Sequence, residues 1–174
     1  MNRRAFVGTA LAAAGALVLG GHTPYVQWTV YRRKHLLIGS HRDDLGTWHA
    51  AQAIVALLDE HLPEARARVA RAPNAGRLAS LLATDQLEVA VLGPPEAEAV
   101  AAGEGPFVPY GPIELALLTP FGGYALVSRR DFPAPHARAV ASALAASAAA
   151  IGGIAIETVD WHPALSQSGE ARGE

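Results

Sequence analysis

HLLIGS (35–40), TWHAAQAIVALLDEHL (47–62), RARVARA (66–72), AGRLASLLA (75–83) and LEVAVLG (87–93) follow one another with short connectors. In order they read strand, helix, strand, helix, strand. Such a βαβαβ unit packs helices against a mainly parallel sheet and leaves its loops at the carboxyl ends of the strands, where small ligands usually sit. His35 to Gly39 is a short apolar run ending at glycine, suited to a first central strand. Trp48, Ala51, Ile54, Val55, Leu58 and Leu62 recur at helical spacing, with Asp44 or Thr47 available as a cap and Pro63 as a stop. Arg66, Arg68 and Arg71 interleave with small apolar residues, a pattern that suits an edge strand whose charge deters pairing with another sheet. Val89 to Leu92 is continuously apolar and reads as a buried strand.

Downstream, Pro94-Pro95 ends that strand and opens a short helix from Glu96 to Ala102, and Gly103 to Pro112 reads as a linker. Ile113 to Leu118 and Tyr124 to Ser128 are two further strands, with Phe121-Gly122-Gly123 as a candidate hairpin turn. Pro133-Ala134-Pro135 leads an alanine-rich helix that continues to about Ala150, and the polar tail 166–174 is expected to lack order. The fold class is α/β.

Upstream, Asn2-Arg3-Arg4-Ala5-Phe6 precedes the apolar run Val7 to Gly20, the pattern of an export signal. Arg3-Arg4 with Phe6 resembles a twin-arginine signal. No convincing small-x-small cleavage site follows, so a cleaved signal peptide and an uncleaved membrane anchor both stand. Tyr25, Trp28 and Tyr31 fit a membrane interface, and Arg32-Arg33-Lys34-His35 a basic collar at the head groups. Three segments result: 1–34 as export signal or anchor, 35–165 as the α/β domain, and 166–174 as the tail. The expected place is the periplasm, with the N-terminus in or through the membrane.

A net charge of −2 gives no general attraction to nucleic acid, and none is expected as a partner. With no cysteine there are no disulfides, thiolate metal sites or cysteine nucleophiles. A Gly-x-Ser-x-Gly elbow, a P-loop and a dinucleotide fingerprint are all lacking, which argues against an enzyme and implies no cofactor. A phosphoacceptor receiver domain fails on chemistry, because Gly93 stands where the acceptor aspartate belongs and no lysine follows Lys34.

The order of elements and several local strings resemble the TAXI family of solute receptors, which serve TRAP-type transporters. The resemblance rests on Ile38-Gly39-Ser40 and Gly46-Thr47, on Asn74 with Leu78 to Leu82 and Glu88 to Leu92, and on Val159-Asp160-Trp161-His162-Pro163-Ala164. It implies one lobe of a periplasmic-binding-protein-like fold. Family members have two lobes and about twice this length, whereas the space between Ala102 and Ile113 cannot hold a second lobe. His41-Arg42-Asp43-Asp44 also brings charge and bulk where the family uses small residues.

Ser40, His41, Arg42, Thr47 and Asn74 are the candidate ligand-binding residues. Free amides at a helix start attract an anion such as a carboxylate, and these side chains could supplement them. The competing reading is plain capping by Asp44, Thr47 and Asn74, since Asp43 and Asp44 would repel an anion. His41 and His49 with Asp43 and Asp44 carry metal-ligand chemistry, but at no compact ligand spacing, so no metal site is assigned. His162 before Pro163 reads as a docking or capping residue. The resemblance implies a non-enzymatic receptor-like protein that binds a small organic anion or assists a TRAP-type transport system. The alternative is an accessory protein, without a working pocket, that binds a membrane transporter subunit or another periplasmic protein. A weaker alternative is an exported metal-binding module.

Overall fold

The computed structural model describes residues 34–146 and 159–166. Contacts divide the chain into Met1–Lys34 and His35–Glu174, and the fold below belongs to the second unit. The candidate export segment, the end of the alanine-rich run and the tail beyond Ser166 lie outside the described residues. Among the described residues, no helix is long and apolar enough to cross a membrane.

The βαβαβ unit forms as its periodicity predicts. Strand β1 (Leu37–His41) leads through helix α1 (Leu45–His61) to β2 (Arg68–Ala72), then through α2 (Ala75–Ala83) to β3 (Val89–Leu92). Helix α3 (Pro94–Ala102) follows, then β4 (Leu115–Phe121), β5 (Tyr124–Arg129), α4 (Ala134–Ala145) and the single turn α5 (Pro163–Ser166). The five strands form one sheet in the order β2-β1-β3-β5-β4. β1 is parallel to both β2 and β3, whereas β5 is antiparallel to β3 and β4. The sheet is therefore mixed, with β5 alone reversed.

Alternate residues of the central strands feed two cores, as the period of two requires. Ala90, Leu92, Leu117 and Val127 face Leu78, Leu82, Ala97 and Val100 of α2 and α3. Val89, Val91, Leu118 and Leu126 face Ile54, Leu58, Val140 and Leu144 of α1 and α4. β1 meets α2 so closely that a Cβ at Gly39 would collide with Leu78 and Leu87.

Two local readings need correction. The short helix starts at Pro94 rather than Glu96, because proline lacks an N–H that the first turn would leave unbonded anyway. The stretch read as a linker contains a 3₁₀ run, Gly105–Tyr110, which drives Phe107 into the core. The hairpin reading holds: Phe121 pairs with Tyr124, and Gly122 and Gly123 both have positive φ (55° and 89°), the signature of a tight type I′ turn.

Both sheet edges are blunted. β2 is an edge strand with Arg68 and Arg71 exposed. On β4 the register shifts between Leu117 and Thr119, and Pro120 removes a donor. The outer side of Leu117 is already bonded, donating to the Asp160 carbonyl (2.8 Å) and accepting from the His162 amide (2.9 Å). His162 is buried; its Nδ1 accepts from the Ala164 amide, so Nε2 donates to the Phe132 carbonyl at 3.0 Å. It docks α5 onto the turn before α4, as its position before proline suggested.

Candidate functional site

β1 sends its chain to α1 on one face of the sheet, while β3 sends its chain to α3 on the other. The carboxyl ends of β1 and β3 therefore flank a topological switch point, the usual ligand crevice of an open α/β sheet. All five candidate residues lie in or beside the loops that line it.

Short-range chemistry fills that crevice. Asp44 caps α1, its Oδ1 accepting from the Gly46 amide at 2.7 Å and from the Tyr124 hydroxyl at 3.2 Å. Asp43 reaches across to α2, where its Oδ2 accepts from the Ala75 amide at 2.9 Å. Asn74 caps the same helix through its Oδ1 and the Arg77 amide, 2.7 Å apart. The amides that would greet an anion at Gly46, Ala75 and Arg77 are thus bonded to the protein's own side chains. Tyr124 also lies over Gly46, where any Cβ would strike its hydroxyl.

His41 is the centre of the cluster. It is the last residue of β1 and only 2% exposed. Its Nε2 lies 3.0 Å from Oε2 of Glu96 on α3, while its Nδ1 is buried without a hydrogen-bond partner, 3.9 Å from Asp43. The hydrogen bond to Glu96 holds the imidazole pKa above its ordinary 6.5, outweighing burial, and the charges of Glu96, Asp43 and Asp44 act in the same sense. Burial, followed by the Asp44 carboxylate, pushes the Tyr124 hydroxyl pKa up as well.

The remaining candidates take separate roles. Thr47 is buried; its hydroxyl donates to the Asp44 carbonyl at 2.8 Å and fixes the loop. Ser40 is buried with an unpartnered Oγ, while Arg42 is exposed. No Ser–His pair forms, because Ser40 and His41 are successive strand residues that point to opposite faces. His49 stands exposed on α1. Among the described residues, no group of three His, Asp or Glu side chains could hold a metal ion. Arg71, exposed on β2, lies over the Trp48 ring at 4.8 Å rather than joining a phosphate site.

Glu96 and Tyr124 are members of the cluster that the sequence reading did not single out. Their distances along the chain, 55 residues from His41 and 80 from Asp44, hide them from any local motif. A scan against protein-family models finds no match for this chain, and a search of curated proteins finds none either.

Proposed function

We propose that this is a non-enzymatic, receptor-lobe protein of the periplasm whose solute crevice is closed, and that it assists a TRAP-type transport system by binding a protein partner. One observation carries the reading: Asp43 and Asp44 occupy the helix-start amides that a solute carboxylate would need. An entering anion would be repelled by those two carboxylates. The partner is a membrane subunit of the transporter or another periplasmic protein, with the protein held at the cytoplasmic membrane by its N-terminal segment. Blunted sheet edges favour docking through helices and loops over addition of a strand.

The test combines two measurements on the full chain. Thermal unfolding with succinate, lactate and other small carboxylates should show no stabilisation, whereas a bound ligand at about 100 times its Kd adds about 2.7 kcal/mol. Cross-linking in intact cells should capture a transporter subunit. Stabilisation by a carboxylate without such a capture would overturn the proposal.

The receptor reading for a small organic anion keeps one supporting observation, the buried and unpartnered Ser40 hydroxyl beside exposed Arg42. It requires Asp43 and Asp44 to swing away. On that reading, Asp43→Asn with Asp44→Asn should strengthen binding of succinate.

A further inference from the structure

Three carboxylates act on His41: Glu96 from α3, and Asp43 and Asp44 from the loop between β1 and α1. Their bonds to the protein use one oxygen each, Oδ2 of Asp43, Oδ1 of Asp44 and Oε2 of Glu96. Among the described residues, nothing donates to Asp43 Oδ1, Asp44 Oδ2 or Glu96 Oε1. The cluster opens to solvent on the Asp43 side, where that side chain is 57% exposed.

Positive charge is scarce there. His41 makes the only ion pairs that Asp43 and Glu96 have among the described residues, and Asp44 has none. Arg77, in the first turn of α2, is turned to the Ser80 hydroxyl, and exposed Arg42 pairs with no carboxylate among the described residues. From β5 the cluster meets only the Tyr124 hydroxyl, which burial and Asp44 keep in its neutral form. Once the imidazole is neutral, three negative charges share the crevice mouth without a counter-charge.

A second observation, independent of those charges, points to a missing donor. His41 Nδ1 is buried and bonded to nothing, on a side chain 3% exposed, and it lies 3.9 Å from Asp43 Oδ2. With Nε2–H donated to Glu96, the neutral ring presents Nδ1 as an acceptor, and a buried acceptor without a donor is destabilising. An anion answers neither need. No third His, Asp or Glu among the described residues completes a metal-ligand set. A cationic group with several N–H donors answers both.

We infer that this crevice mouth, formed by Asp43, Asp44, Glu96 and the Nδ1 of His41, receives a basic side chain, lysine or arginine, from the protein partner. The inference rests on the accessory reading and gives that partner its chemistry. The incoming group bonds the outer carboxylate oxygens, and rotation of the exposed Asp43 side chain gives it access to Nδ1. It replaces the His41 proton as the counter-charge of the cluster, so docking competes with that proton.

The experiment titrates the isotope-labelled full chain with Nα-acetyl-lysinamide, a lysine capped at both ends as in a peptide, and follows the Gly46 and Ala75 amide signals. Both amides donate to cluster carboxylates and should shift saturably, whereas the uncharged Nα-acetyl-norleucinamide should leave them in place. Affinity should rise from about pH 6 to about pH 8 as His41 loses its proton. Asp43→Asn and Asp44→Asn keep an oxygen for each cap and should each weaken binding about threefold to tenfold. Asp59→Asn, near the far end of α1, should leave binding as it was. No saturable shift, equal binding of the norleucine analogue, or an affinity indifferent to pH would overturn the inference. Tighter binding of n-butylamine than of the capped lysine would assign the site to a free amine and overturn it as well. Capture of a transporter subunit in cells without lysinamide binding sinks this inference alone, whereas lysinamide binding without any capture sinks the accessory reading.

Discussion

At the scale of single residues, His41 gives the crevice its pH dependence. Its folded pKa lies above 6.5, chiefly because of the hydrogen bond to Glu96. A raised histidine pKa contributes stability that is fully present below the unfolded value and is lost as pH rises through the folded value. Neutral His41 keeps its Nε2–H on Glu96 but turns a lone pair towards Asp43, which loosens the tie between β1 and α2. Urea unfolding across the neutral range should therefore show stability falling with rising pH, and His41→Asn should flatten that slope. An unchanged slope in the variant would place the titrating group elsewhere. Asp44→Ala makes a second expectation, since it strips the α1 cap and the Tyr124 partner together. Loss of a cap costs about 0.5–2 kcal/mol, read as a lower urea midpoint. The two caps, Asp44 and Asn74, were legible because capping is local and each lies just ahead of its helix. Glu96 was not, because its bond to His41 exists only once β3 and α3 are in place.

At the scale of elements, helical spacing located α1, continuous apolar runs located β1 and β3, and prolines and alanine content located α3 and α4, because each of these signals is local. Phe107 escaped that reading: one aromatic among glycines and prolines has no period, and only its pocket shows that the stretch is anchored. Glycine spacing says where backbones meet. Gly39→Ala should drive a methyl group into Leu78 and Leu87, and overpacking of this kind costs about 1–3 kcal/mol, measurable as a lower urea midpoint. The β4–β5 turn makes a sharper pair. Gly122 has φ 55°, so Gly122→Asn should keep the hairpin at near-native stability. Gly122→Val should lose about 1–2 kcal/mol or more, because a β-branched residue resists that conformation. Equal effects from the two substitutions would rule out the type I′ turn.

At the scale of the whole molecule, the parallel β2-β1-β3 half follows from short connectors and right-handed crossovers. The insertion of β5 between β3 and β4 does not, since nothing local distinguishes a hairpin strand that joins the sheet centre from one that extends its edge. That insertion leaves β2 and β4 as the two edges. Each carries its own defence: arginines on β2, and a bulge, Pro120 and the Asp160–His162 strip on β4. The β2 defence is the easier to remove. Arg68 makes a solvent-exposed pair with Asp59 at 3.5 Å and donates to the neighbouring Ala67 carbonyl at 2.6 Å, and exposed pairs of this kind contribute little to stability. Arg68→Val combined with Arg71→Val should therefore leave the monomer folded while turning β2 into a flat apolar edge, open to a second copy of itself. Sedimentation at rising concentration, with wild type and variant in the same buffer, should show association that only the variant gains. If the two sediment alike, charge is not what keeps that edge single, and the protection must lie in the twist of the strand instead.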